Sequence, residues 1–394
     1  MSDQERDRDV RFCPDAFPRC GPAGPCCRRP LLFRPCARHA AGPGAFITVN
    51  RAAGHEDAPP RTGVLLSNLG TPDGTGYGAV RRYLAEFLSD RRIIEASPLI
   101  WKPILYGPVL TFRPRKSGEA YHRIWHHDRN ESPLRTYTRD QAEMLATRLA
   151  GDNVPVAWGM RYGQPSIKQA LHELVAQGCD RILLAPLYPQ YSATTTATAN
   201  DQAFRALMRL RNQPAIRTLP AFADHPAYIA ALGRSITARL ETLDFKPQMI
   251  VASFHGLPKV YVEKGDSYAD ECARTIVALR QAMGYDAQMM PLTFQSRFGP
   301  AKWLEPYTAP FIESLPAQGI ERIAVITPGF ISDCIETLDE IGNEAGEDFI
   351  KAGGKELALI PCLNNSPDAI DLLETLVREE LAGWLPRKPA AAAG

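Results

Sequence analysis

Neither sign of charge is in excess: 45 lysines and arginines face 44 aspartates and glutamates, for a formal net charge of +1. No global field recommends nucleic acid or an acidic surface as partner, so binding must be local. The sequence also lacks an apolar core of signal-peptide length after Met1, where Asp3, Glu5, Asp7 and Asp9 crowd the first positions. Those acids speak against secretion and against an organellar transit peptide, leaving a cytoplasmic protein as the expectation. Paired C-x-x-C zinc spacing is missing as well. Five of the nine cysteines fall between Cys13 and Cys36, and the others, Cys179, Cys272, Cys334 and Cys362, are scattered. Scattered thiols fit a reducing compartment.

What is present is a globular composition, 45% hydrophobic and 23% charged over 394 residues, with room for two domains. Residues 1–60 are crowded with Arg, Pro, Gly and Cys and have no hydrophobic periodicity, so a disordered extension is expected there. Residues 387–394, ending in an alanine run, are expected to be a disordered tail. From Thr62 onward, runs of Val, Ile and Leu alternate with helical stretches, the pattern of a parallel α/β sheet. Candidate strands are 63–69, 154–160, 181–187, 248–254, 288–294, 322–327 and 357–361. Their near-continuous hydrophobicity predicts strands covered on both faces.

The chain echoes itself. Ser67-Asn68-Leu69-Gly70-Thr71-Pro72 shares S-x-x-G-x-P with Ser253-Phe254-His255-Gly256-Leu257-Pro258. Arg161-Tyr162-Gly163 returns as Arg297-Phe298-Gly299, and Ala176-Gln177-Gly178 as Ala317-Gln318-Gly319. Three anchors in one order imply two related halves, 61–225 and 226–365, each a small doubly wound unit. The separation between copies shrinks after the first anchor, so the first half carries an insertion, near 90–135. It holds the apolar stretch 98–112, broken by Pro98, Pro103 and Pro108 and carrying Lys102. A spanning helix needs about 20 apolar residues. The stretch is instead a lip over an apolar ligand, an interfacial patch, or a loop buried on the sheet.

A duplicated scaffold needs chemistry only where its copies diverge. Leu69 becomes His255, which places an imidazole at the carboxyl end of a strand, where open α/β sheets present ligand-binding groups. Thr195 becomes Glu336, in a segment that opens a helix after a strand, with Ser332 or Asp333 as its cap. Glu336, Glu340 and Glu344 recur every four residues on one helix face. Such a stripe is either solvated or lines a cleft, where carboxylates raise one another's proton affinity and bind a hard cation. One imidazole beside carboxylates, without clustered thiolates, suits transiently held divalent iron. Gly74-Thr75-Gly76-Tyr77-Gly78-Ala79 satisfies G-x-G-x-x-A, with Glu95 further on, but Thr71-Pro72-Asp73 separates it from the strand and the second half has no counterpart.

At these residues the sequence resembles the ferrochelatases of bacterial type, across roughly 62–385. The matching pieces are Asn68-Leu69-Gly70-Thr71-Pro72, Trp158-Gly159-Met160-Arg161-Tyr162, Tyr188-Pro189-Gln190-Tyr191-Ser192, Ser253-Phe254-His255-Gly256-Leu257-Pro258, Thr293-Phe294-Gln295-Ser296-Arg297 and Ser332-Asp333-Cys334-Ile335-Glu336-Thr337-Leu338. The resemblance implies two Rossmann-like halves around a porphyrin cleft, with a C-terminal helix in 366–386 packing back on them. It implies insertion of Fe²⁺ into a porphyrin, with His255 and Glu336 as the metal-handling pair and Glu340 continuing the acidic path. By the same motifs Leu69, Arg161, Tyr162, Ser296 and Trp303 fall at porphyrin-pocket positions. Cys334 stands where animal members carry His, Ala193 where they carry a cluster-ligating Cys, and their Cys-rich C-terminal extension has no counterpart. The resemblance therefore implies no [2Fe-2S] cluster of the animal type and no required cofactor, Fe²⁺ being a substrate. The apolar insertion favours protoporphyrin IX over the more charged coproporphyrin III. A non-catalytic porphyrin or haem carrier is the other reading, and peripheral attachment at the inner membrane face stays open.

Overall fold

Runs of Val, Ile and Leu have no polar face to give to water, so they become central strands of parallel sheets covered by helices on both sides. The computed structural model describes residues 60–385; the extension expected at 1–60, apart from its last residue, and the tail expected at 387–394 lie outside the described residues. The first half contains β1 (Arg61–Gly70), α1 (Tyr77–Leu88), α2 (Pro98–Ile104), α3 (Leu110–Ile124), α4 (Pro133–Leu149), β2 (Val156–Tyr162), α5 (Ile167–Ala176), β3 (Cys179–Pro186), α6 (Thr198–Leu207) and β4 (Ala215–Thr218). After α7 (Pro226–Glu241) the second contains β5 (Met249–His255), α8 (Lys259–Glu263), α9 (Tyr268–Met283), β6 (Leu292–Gln295), α10 (Thr308–Ser314), β7 (Arg322–Ile326), α11 (Gly346–Lys351) and β8 (Glu356–Leu359), and α12 (Pro367–Glu380) follows.

The two sheets have one topology. Their strand orders are β2-β1-β3-β4 and β6-β5-β7-β8, every neighbouring pair parallel. Each third strand is followed by a π-helical segment, Ala193–Ala197 in the first half and Glu336–Ala345 in the second. Register refines the sequence echo. Asn68 stands opposite Met160, and Phe254 opposite Phe294. Arg161 therefore corresponds in the sheet to Gln295, and the Arg297 that matches it by motif lies in the loop beyond β6. The edge strand β4 was not anticipated; Ala-Ile-Arg-Thr is too short and too polar to show a pattern.

One core cluster joins both sheets, including Val64 and Leu66 of β1 with Ile250 and Ala252 of β5. It also takes in Leu372, Leu373, Leu376 and Val377 of α12, which packs on α4 and α7 as the resemblance implied. Ser366 caps α12 by accepting the Ala369 N–H at 3.2 Å, and Pro367 sits at the first turn, where its missing N–H is harmless.

Between β1 and α4 the first half has α1, α2 and α3, where the second has only α8 between β5 and α9. The added length of the first half lies between β1 and α4. Leu105 and Leu110 are buried with Val80, Tyr83 and Leu84, while Leu99 is 88% and Phe112 74% exposed. The stretch is not a loop buried on the sheet; its outer face is bare apolar surface.

At Gly70 the chain leaves β1 with φ +111°, and an added Cβ would stand 1.8 Å from the Tyr162 carbonyl oxygen. Backbone cannot give way as a flexible side chain can. Gly70→Ala is therefore expected to destabilise by at least about 3 kcal/mol, combining left-handed strain with the clash. Urea denaturation checks this, and an unchanged midpoint would contradict the close approach of β1 to β2.

Candidate active site

A cavity of about 710 Å³ opens beside the carboxyl ends of β1 and β5. That is where parallel sheets leave strand-end side chains and helix beginnings free to meet a ligand. Leu69 at the end of β1 and His255 at the end of β5 both line it, as do Ser296, Trp303, Glu336 and Glu340. Of the eight residues singled out from sequence, these six are brought together.

The His255 Nδ1 lies 2.7 Å from the Gly256 carbonyl oxygen. A carbonyl only accepts, so Nδ1 carries the proton and donates, and the neutral ring keeps its lone pair on Nε2. Glu336 is positioned through its backbone: Gln295 Nε2 donates to its carbonyl at 2.6 Å, and Ser253 Oγ donates to Gln295 Oε1 at 2.8 Å. The echo residue Ser253 thereby connects β5 to the start of the acidic helix through β6.

Glu340 accepts from Ser296 twice, from its N–H at 2.6 Å and its Oγ at 2.5 Å. Ser296 adopts φ +65°, a left-handed conformation uncommon outside glycine, and this turns both donors onto one carboxylate. Burial pushes the Glu340 carboxyl above its ordinary range and the Glu336 charge adds to the rise, while Ser296 and His255 oppose it. The whole acidic stretch Glu336–Ala345 is π-helical, where regular α geometry was expected. Irregular turns of this kind recur at functional sites.

Arg161 and Tyr162 are not among the cavity-lining residues, contrary to the expectation from the motif. A buried carboxylate, Asp90, holds them elsewhere. Arg161 pairs with Asp90 through Nη2 and donates from Nε to Thr198 Oγ at 2.6 Å, and the Tyr162 hydroxyl donates to Asp90 at 2.8 Å. Burial alone would raise the Asp90 carboxyl, but hydrogen bonds from Thr198, the Arg92 N–H and Tyr162, with the Arg161 charge, outweigh it and hold it below its ordinary range.

Residues that sequence reasoning passed over also line the cavity. Arg113 and Lys116 of α3 bring two cations from the insertion, where Arg113-Pro114-Arg115-Lys116 reads as a solvated basic run. Arg113 packs over the Phe298 ring at 4.7 Å. Asp339, three residues past Glu336, adds a fourth lining carboxylate beside Glu336, Glu340 and Glu344. Its side chain is bound by Arg123 of α3 through two contacts, Nε to Oδ1 at 2.6 Å and Nη2 to Oδ2 at 2.5 Å.

The arrangement of a duplicated parallel fold, a cavity at the strand ends and an imidazole facing carboxylates defines a metal chelatase of the tetrapyrrole-handling kind. A family model described as Ferrochelatase matches residues 61–381. A ferrochelatase from Gluconobacter oxydans is 67% identical over 330 residues, covering 83% of this chain and 96% of that one. One from Brucella anthropi is 58% identical over 327 residues, covering 83% and 93%. Among solved structures, SirB from Bacillus subtilis with Fe3+ aligns with TM-score 0.48 and 13% identity over 82% of this chain and 97% of that one. The chain belongs to the ferrochelatase family, enzymes that insert metal into a porphyrin.

The raised Glu340 carboxyl has a consequence for stability. A group that binds its proton more tightly folded than unfolded stabilises the fold at low pH, and that contribution is lost as pH rises through the raised value. Glu340→Gln has no such loss. Its melting temperature relative to wild type should therefore be more favourable at about pH 7.5 than at about pH 4. Thermal melts at both pH values check this, and a difference that shrinks with rising pH would reverse the sign of the assigned shift.

Proposed function

We propose that this chain inserts Fe²⁺ into protoporphyrin IX, releasing two protons to form protohaem, the last step of haem biosynthesis. The observation that carries the proposal is that the His255 lone pair and the Glu336 and Glu340 carboxylates meet at one cavity whose wall also presents apolar groups such as Leu69 and Trp303. Metal insertion needs a flat apolar site for the macrocycle, a base for the pyrrole protons and a hydrophilic approach for the cation. Each has a candidate here.

His255 Nε2, whose lone pair is left free by the Nδ1–H bond to the Gly256 carbonyl, takes a pyrrole proton. Glu336 holds the incoming Fe²⁺ while the His255 lone pair serves the proton, and Glu340 continues the line by which metal arrives or protons leave. Ser296 keeps Glu340 aimed at the cavity. A cleft wall that prefers a bent macrocycle exposes the ring nitrogens and places binding energy in the transition state. Arg113 and Lys116 are suited to propionate groups, one as a planar fork and the other as a point charge. Arg161 and Tyr162 support the cavity from behind. Fe²⁺ is substrate, and no resident cofactor enters the proposal; Ala193 supplies no thiol at the animal cluster position.

His255→Ala and Glu336→Gln, if folded, should each lower insertion of iron or zinc by at least about 100-fold, a usual loss for an acid–base group. Porphyrin fluorescence follows the reaction. Wild-type rates in either variant would remove that residue from the chemistry, and binding without turnover by wild type would favour the carrier reading. Protoporphyrin IX should show the higher kcat/KM; a preference for coproporphyrin III would reassign the substrate.

Among the described residues no helix is long and apolar enough to cross a membrane. We propose peripheral attachment of a cytoplasmic protein through the lip, where Leu99, Ile100, Tyr106 and Phe112 are exposed beside Lys102. Wild type should co-sediment with phosphatidylglycerol vesicles and a Leu99→Glu, Phe112→Glu variant should not. Equal sedimentation of the two would exclude the lip as the anchor.

A further inference from the structure

The acidic helix carries four cavity-lining carboxylates, Glu336, Asp339, Glu340 and Glu344, and its outer end is met by a cation from the inserted segment. Arg123 of α3 grips Asp339 through the Nε–Nη2 edge of its guanidinium and reaches Glu344 with Nη2 at 3.5 Å. The Asp339 side chain is only 4% exposed, whereas that of Arg123 is 45% exposed. Asn343 Nδ2 also donates to Asp339, at 3.0 Å, so the carboxylate is fixed on its own helix as well. The pair joins residues on two different elements beside the exposed Glu344. A clamp meant only for packing needs no charge there, and buried ion pairs are weak stabilisers.

We infer that Arg123 is a positioning residue that sets how strongly the acidic line retains a divalent cation. Its fixed positive charge neutralises Asp339 and part of the Glu344 charge, so the outer line attracts metal without holding it. A route for ions must bind well enough to admit them and weakly enough to release them, as ion pathways elsewhere do. Without Arg123 the outer end presents two unpaired carboxylates, and a cation with a taste for oxygen ligands would dwell there. The inference rests on the proposed reading of Glu336 and Glu340 as the metal's route.

The two members of this ion pair give opposite tests. Arg123→Gln leaves two carboxylates unpaired, and the apparent KM for Zn²⁺ in protoporphyrin insertion should fall by about three- to tenfold, with kcat reduced as metal is retained. Asp339→Asn leaves the cation unpaired, and the KM for Zn²⁺ should rise by a similar factor. The KM for porphyrin should be unchanged in both. Arg123→Lys keeps the charge and should lie near wild type. The Arg123→Gln effect should also shrink at high ionic strength. If both variants shift the Zn²⁺ KM in the same direction, or move the porphyrin KM equally, the pair is a packing clamp and the inference fails. Should Arg123→Gln not fold, Asp339→Asn and Arg123→Lys carry the same decision. Glu340→Gln separates this inference from its premise: if that variant leaves the Zn²⁺ KM untouched the acidic route itself is wrong, and if it raises the KM while Arg123→Gln does not lower it, only the role of Arg123 is overturned.

Discussion

Everything around the cavity follows from holding several carboxylates of like charge against a wall that excludes water. For Glu340, burial and the Glu336 charge both favour the neutral form. The fold answers with donors fixed by other elements. Ser296 at the end of β6 gives two hydrogen bonds to Glu340, Gln295 of the same strand holds the Glu336 backbone, and Arg123 of the insertion neutralises Asp339. None of these donors lies on the acidic helix. The left-handed backbone of Ser296 is strain accepted for aim.

The duplication explains how such a site arose without a special fold. Two sheets of one strand order each offer a strand end and a π-helical turn to the same cavity. The first copy presents Leu69 and Thr195, the second His255 and Glu336. One side is thus fit to contact an apolar plane and the other to handle protons and cations, and the symmetric scaffold acquires a direction. The inserted helices α2 and α3 add a second asymmetry, since they and the turn between them supply the apolar lip, the cations Arg113 and Lys116, and the Arg123 contact to the acidic helix.

Local pattern was enough for most of the frame. Hydrophobic runs mark seven of the eight strands among the described residues, and the S-x-x-G-x-P echo places Leu69 and His255 at equivalent strand ends. Two classes of feature were not legible. Short polar elements such as β4 are stabilised by the neighbour they pair with, here β3, and carry no pattern of their own. Pairings across the chain, Arg123 with Asp339 at a separation of 216 residues above all, depend on how the inserted helices dock, which no spacing encodes. The π-helical turn lies between these cases: its residues have ordinary helical periodicity, which marks a helix but not its wider winding.

Arg161 shows why a family motif does not by itself assign a contact. To reach into the cavity its guanidinium would have to leave Asp90, and breaking a buried pair of this kind costs about 3–5 kcal/mol because the abandoned carboxylate stays desolvated. Asp90 lies in the stem that leads from α1 to the lip. The next residues of that stem are pinned in turn: Arg92 to Asp201 at 2.7 Å, the Ile93 carbonyl to the Tyr261 hydroxyl at 3.0 Å, and Glu95 to Lys264 at 2.5 Å. Arg92 and Asp90 thus tie the stem to the first half, and Tyr261 and Lys264 tie it to the second. Ile93 and Ile94, held between these anchors, line the cavity. Arg161 and Tyr162 therefore shape the cavity through the stem they fix, and the place of Arg161 in the motif is explained by the buried charge it must balance.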